Sequence, residues 1–169
     1  MTRLRAALIA ILVISIALAV GLCVRQWGVG TLRVAGASMQ DTLRGGDIAL
    51  VTRFDYANTP PQRGDVVECR FPGRADTYVK RVIGLPGEAV RCEGGALTID
   101  RRALEEPYLS SATDDFSAVL GEDEYLVLGD NRAESYDSRM EDMGPVGADA
   151  FLGRVRFILW PINRIGPVQ

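Results

Sequence analysis

From Ala6 to Val24 the chain carries no charged residue, and Ser15 is the only ordinary polar side chain in that run. Written as an α-helix at 1.5 Å per residue, the run extends about 28 Å, close to the hydrocarbon thickness of a bilayer. Arg3 and Arg5 precede it and Arg25 follows it. The excess of positive charge on the near side favours an N-terminus inside and the remainder outside. Ala17-Leu18-Ala19 has the small-x-small form of a leader cleavage site. Against cleavage, the apolar stretch continues through Val24 and outruns the core of a removable leader. Leu22 is too large to precede a lipid-modified Cys23. The sequence therefore reads as a retained anchor over residues 1–28, with the span at about 6–24 and Trp27 at the interface.

Beyond Trp27 the pattern changes to short β-rich runs separated by Gly/Pro turns. Strands are expected near Thr31–Val34, Asp47–Arg53, Asp65–Phe71, Tyr78–Gly84, Ala89–Cys92, Ala96–Ile99, Tyr125–Leu128 and Arg154–Trp160. The intervening "RGGD", "PPQRGD", "LPGE", "EGG" and "GDN" are turn chemistry. No helical period competes after the anchor. The fold class is thus mostly β: an antiparallel sheet assembly or partly open barrel over 29–169, behind one N-terminal transmembrane helix. Residues 104–124 carry seven acids and no base, which reads as a solvated acidic loop. "FILWPI" near the C-terminus is too short to span a bilayer and reads as a core strand. Arg63-Gly64-Asp65 is one of several Gly-Asp turns.

Composition removes several chemistries. The net charge of −3 leaves no general nucleic-acid footprint. There is no histidine, so Ser-His-Asp triads, Cys-His pairs and nearly all zinc sites are excluded. Cys23, Cys69 and Cys92 lack CxxC spacing, and no metal is expected. Cys69 and Cys92 fall in neighbouring predicted strands, as a disulfide or as two buried thiols.

One residue stands apart. Of 19 basic residues, Lys80 is the only lysine. Chance placement explains a lone lysine; so does chemistry, because arginine cannot be deprotonated whereas a buried lysine can serve as a general base. On a strand Lys80 shares its face with Tyr78 and Val82, apolar neighbours that would depress its pKa. Thr77, three residues away, points to the other face and is no partner for it. Ser38, after the small residues Ala35, Gly36 and Ala37, lies in a loop between strands; it is an exposed nucleophile or an ordinary turn serine. "LVLGDNRAESYDSRM" packs polar residues straight after an apolar strand, either as a side-chain network or as a hydrogen-bonded turn with a surface Asp137–Arg139 pair.

Taken together and in order, these stretches resemble the type I signal peptidases, membrane-anchored Ser-Lys endopeptidases of compact Gram-positive-like form. "SMQDTL" is similar to the family's Ser-Met box and "GGDIAL" to the one after it. "KRVIGLPGE" is similar to its lysine box and "GDNRAESYDSR" to its last. The resemblance implies that Ser38 is the nucleophile, Lys80 its base, and Ser135 the hydroxyl that orients the amine. It makes Asp137 and Arg139 a structural ion pair, and Met39 a lining residue of the site. Oxyanion stabilisation would fall to the Ser38 backbone amide, with no metal or cofactor. The substrates implied are Ala-x-Ala signal peptides of preproteins emerging at the membrane, met by a monomer anchored in the cell membrane with its catalytic domain extracytoplasmic.

Two positions depart from the family pattern. Asp41 replaces a proline, and a carboxylate facing Lys80 would raise the pKa of its amine. Gly36 lacks the serine hydroxyl that some members offer the oxyanion. A specialised Ser-Lys processing peptidase and a catalytically inactive, membrane-tethered β module that binds extended peptides are the competing expectations.

Overall fold

The structure is a computed structural model. It describes the backbone of residues 2–26, 28–40, 42–57, 59–109 and 111–169 and, within the N-terminal helix, the side chains of 5, 7–16, 18–19 and 21–22. Trp27, Asp41 and the side chain of Cys23 lie outside the described residues, and with them the expectations attached to each.

The helix α1 covers Thr2–Gln26. Its described large apolar side chains, among them Leu8, Ile11, Ile14, Leu18 and Leu22, are each more than half exposed. Among the described residues no helix is long and apolar enough to cross a membrane.

After α1 the described strands all pair antiparallel, with short 3₁₀ turns and loops between them. The strands of the larger sheet are β1 (Val29–Arg33), β2 (Ile48–Thr52), β3 (Val66–Cys69), β4 (Tyr78–Gly84), β9 (Leu126–Leu128), β10 (Phe151–Trp160) and β11 (Gly166–Pro167). They run in the order β1-β2-β10-β3-β4-β9, with β11 added beside β10. The smaller sheet has the order β7-β6-β5-β8, built from β5 (Ala89–Glu93), β6 (Ala96–Ile99), β7 (Arg102–Ala103) and β8 (Phe116–Val119).

Three apolar clusters hold these sheets, and strand periodicity explains their membership. On β4, Val82 packs into the first cluster with Val67, Cys69, Val127 and Phe151. Its neighbour Ile83 turns to the opposite face and joins Val90, Leu97, Leu120, Leu126 and Leu128. A strand buried on both faces reads as a continuous apolar run, which "VIG" and "LVL" both are. The remaining cluster gathers Val34, Met39, Leu43, Val51, Val66 and Val155 under β1 and β2.

The eight expected strands are all present, Tyr78–Gly84 and Ala96–Ile99 with the expected bounds and the others shifted by one to three residues. The acidic segment 104–124 differs from its expectation as a solvated loop. It contains β8, which pairs with β5 from Val119↔Ala89 to Phe116↔Cys92. It also turns Glu106 and Thr113 inward onto Arg132. The flanking charges mask a short alternation: in "FSAV" Phe116 and Ala118 pack on the cluster around Ile83 while Ser117 and Val119 face out. Cys69 and Cys92 lie in different sheets as buried free thiols, so the disulfide alternative falls.

Candidate active site

Strand β4 carries Lys80 into the interior. Pairing with β3 sets it opposite Val67, with Cys69 opposite Tyr78 on the same face. Lys80 is only 2% exposed. Its Nζ donates a hydrogen bond to Ser135 Oγ at 3.1 Å. Burial pushes the amine below its ordinary pKa, because the charged form loses its hydration; the Asp137 carboxylate pulls in the opposite direction.

The loop after β1 carries Ser38, and buried residues pin it on both sides. Met39 is 2% exposed and Leu43 fully buried, and the Leu43 N–H donates to the Met39 carbonyl at 2.8 Å, closing a turn. Met39 is therefore a core anchor as well as a lining residue. From the far side, the Asn131 N–H donates to the Ser38 carbonyl at 3.0 Å and Asn131 Nδ2 donates to the Ala37 carbonyl at 3.2 Å. The approach is so close that a Cβ at Gly129 would collide with both the Ser38 carbonyl oxygen and Ser135 Oγ. Gly36, at φ 83°, occupies backbone that L side chains rarely adopt, so a serine there would be strained.

The loop from Gly129 to Arg139 organises the rest. Asp137 and Arg139 form an ion pair at 2.8 Å with side chains 0% and 5% exposed, so the pair is buried and not a surface contact. Burial would raise the Asp137 pKa, but hydrogen bonds from Arg139, the Ser135 hydroxyl and the Gly129 N–H hold the carboxylate below its usual value. Ser135 thus sits between the amine of Lys80 and the carboxylate of Asp137. Arg139 Nη2 also donates to the carbonyls of Arg132 and Ser135, at 2.8 and 3.3 Å. All four sequence-predicted groups of this half of the site, Lys80, Ser135, Asp137 and Arg139, meet in one network.

Sequence reasoning missed a second network beside it. Arg81 donates to both carboxylate oxygens of Asp130, at 2.8 and 2.6 Å, while Thr42 Oγ1 donates to Asp130 Oδ2 at 2.6 Å. The Arg81 guanidinium lies 3.9 Å from the Tyr108 ring centroid, a cation–π distance. Asp130 had read as a turn former. The available signal was Arg81 itself, a charge inside a strand whose flanking residues are buried on both faces. Arg132 was also overlooked: it pairs with Glu106 at 2.5 Å, both side chains enclosed, and ties the acidic segment to the Ser135 loop.

Ser38 opens onto a cleft of about 260 Å³ lined also by Leu32, Val34, Met39, Glu68 and Tyr78. A hydroxyl on a cleft wall and a desolvated amine of lowered pKa suit nucleophile and base. Ser135→Ala removes the acceptor that fixes the amine. We expect a fall in turnover on the order of 10²-fold, the scale for a misplaced catalytic group, with little change in KM. Steady-state kinetics on a preprotein substrate check this.

Comparison with known proteins shows the family. The family described as "Signal peptidase, peptidase S26" matches residues 5–160. A signal peptidase I of Leptolyngbya laminosa is 36% identical over 163 residues, covering 90% of this chain and 78% of its own. Signal peptidase I T of Bacillus subtilis is 34% identical over 164 residues, covering 90% and 84%. The crystal structure of a signal peptidase I from Enterococcus faecalis V583 superposes with a TM-score of 0.52 at 33% identity, over 57% of this chain and 97% of that one. With a family match along nearly its whole length and an antiparallel β fold shared with a solved member, the chain belongs to the signal peptidases of peptidase family S26.

Proposed function

We propose that this chain is a membrane-anchored serine endopeptidase that releases signal peptides from preproteins with a Ser38–Lys80 dyad. The observation that carries the proposal is the chain's only lysine, enclosed, held by Ser135 and lowered in pKa by burial. In this reading neutral Lys80 Nζ takes the proton from Ser38 Oγ as the oxygen attacks the scissile carbonyl. The tetrahedral oxyanion is met by the Ser38 N–H, since Gly36 supplies no hydroxyl. Lys80 then returns its proton to the leaving amine. Water, deprotonated by the same amine, hydrolyses the acyl-enzyme and regenerates Ser38. Ser135 and the Asp137–Arg139 pair position the amine and do not touch the substrate.

The substrate lies extended along the cleft, pairing by main-chain hydrogen bonds, with small side chains beside Ser38. The uncharged run Ala6–Val24 supports α1 as the anchor, because a helix apolar on all sides needs a partner other than water. Arg3 and Arg5 orient it with the N-terminus cytoplasmic and the β domain extracytoplasmic. The working unit is a monomer, and its partners are preprotein signal peptides and the lipid bilayer.

The test is cleavage of an Ala-x-Ala preprotein across pH. The active form of Lys80 is deprotonated, so the rate must rise with pH. Burial shifts that rise below the pH at which an ordinary lysine would titrate. A rate that stays flat down to pH 5 rules out a lysine base. No cleavage at any pH leaves a binding module in its place.

A further inference from the structure

Resting on the peptidase reading above, we propose that Glu106 and Tyr108 are positioning residues for the reaction: from outside the loop that carries Ser135, they hold its hydroxyl in place against the Lys80 amine. Both lie in the connection between β7 and β8, within the acidic segment. The two side chains are joined, because the Tyr108 hydroxyl donates to Glu106 Oε1 at 2.8 Å. Each also grips an arginine. Glu106 accepts from both terminal nitrogens of Arg132, at 2.5 and 3.2 Å, with side chains 5% and 0% exposed. The Tyr108 ring lies against the guanidinium of Arg81, 3.9 Å from its centroid. Glu105, the preceding residue, is exposed to solvent.

The two arginines belong to the two halves of the site. Arg81 follows Lys80 on β4 and pairs with Asp130, and Arg132 stands two residues after Asp130. Between them, Asn131 donates its N–H to the Ser38 carbonyl. Arg132 passes its own position on twice. Its Nε donates to the Gly129 carbonyl at 3.0 Å, and its carbonyl accepts from Arg139 Nη2 at 2.8 Å. Gly129 and Arg139 both donate to the Asp137 carboxylate, which also accepts from the Ser135 hydroxyl. A relay of direct contacts thus runs from Glu106 to the hydroxyl that orients Lys80.

The loop needs such a brace. From Gly129 to Arg139 it holds one 3₁₀ turn and no strand, so no ladder fixes it. Arg139 pairs with Asp137 inside the loop, and that pair moves with the loop. Arg132 is instead tied to a distant part of the chain. Leu104 and Tyr108 seat that part on the cluster that contains Ile83 of β4 and Leu128 of β9. The brace therefore shares its footing with the strand that carries Lys80. Without the Glu106 carboxylate, Arg132 keeps the Gly129 carbonyl and Thr113 Oγ1 as acceptors, both neutral, and the loop loses its fixed register against β4. A displacement near 1 Å is enough to cost about 10²-fold in rate.

The test uses the full-length, detergent-solubilised protein on an Ala-x-Ala preprotein, at a temperature well below the Tm of each variant. Glu106→Gln is expected to lower kcat by roughly 10- to 100-fold, with KM within about twofold of wild type. Tyr108→Leu, which removes ring and hydroxyl together, should lower kcat by about tenfold. Tyr108→Phe keeps the ring on Arg81 and should lose less. The decisive readout is coupling to Ser135, measured by a double-mutant cycle. Adding Glu106→Gln to Ser135→Ala should cost less than about threefold further, because the hydroxyl being positioned is gone. Where Glu106→Gln does not fold, Tyr108→Leu with and without Ser135→Ala measures the same coupling. Losses in kcat that multiply in the double variant, losses confined to KM, or single variants as fast as wild type each overturn the inference and leave the peptidase reading intact. So does a Ser135→Ala enzyme of undiminished turnover, since nothing is then left to position. Failure of wild type to cut the preprotein overturns that reading and the inference with it.

Discussion

Lys80→Arg is expected to lower kcat/KM on a preprotein by a factor of about 10⁴ to 10⁶, the range spanned by loss of a general base and loss of a core catalytic group. At the lower bound this is about 5.4 kcal/mol of transition-state stabilisation. The reason is proton affinity. Burial lowers the lysine amine's pKa, which brings the neutral amine closer to reach than in a free lysine, whereas a guanidinium holds its proton at every ordinary pH. Arginine is bulkier, and its fixed charge would sit in a site that is 2% exposed, so stability is read alongside activity. Lys80→Met supplies the companion variant. Methionine keeps much of the aliphatic stem, adds no charge and cannot act as a base. Its circular dichroism spectrum and melting curve should remain those of a folded protein while turnover disappears. A folded Lys80→Met enzyme retaining a tenth of wild-type turnover would end the dyad reading, and Lys80 would become a structural residue.

The parts of this site legible in the sequence share one property: their chemistry is visible locally. A unique lysine in an apolar strand, a serine among small residues and a dense polar loop each announce themselves within a dozen residues. What was hidden is pairing at long range. Glu106 meets Arg132 from a segment far away in the chain, and nothing around "LEEPY" distinguishes its two glutamates. Strand β8 was hidden for the same reason. Its exposed alternate positions pack on nothing, and only β5 beside it completes its ladder. Asp137 and Arg139 had two readings, a surface pair or a structural one. Two residues apart in sequence, they gave no hint of the chain folding over them. Burial decides between the readings.

Asp130→Ala is expected to be the most damaging single change outside the dyad. Asp130 is fully buried, and it accepts from Arg81 twice and from Thr42 once. Truncation removes the only side-chain carboxylate that meets Arg81 among the described residues and leaves the guanidinium with the Gly64 carbonyl, an oxygen of Gln169, the Thr42 hydroxyl and the Tyr108 ring. An uncompensated buried charge of this kind costs about 3–5 kcal/mol. For a chain of this size that lowers Tm by roughly 6–20 °C. The pair is shielded, so the loss should be nearly independent of salt. The exposed Arg91–Glu93 pair, at 65% and 71% exposure, should instead contribute little and be screened. Because Arg81 adjoins Lys80 and Thr42 belongs to the loop that holds Ser38, turnover should also fall at temperatures where Asp130→Ala remains folded. The double variant Arg81→Met with Asp130→Leu separates the two effects. Removing both charges abolishes the desolvation cost, so much of the lost stability should return. Activity should return less fully, since the Thr42 hydroxyl still lacks its acceptor. A single variant that melts within about 1 kcal/mol of wild type would mean that Asp130 is dispensable and that other contacts hold the Ser38 and Lys80 segments together.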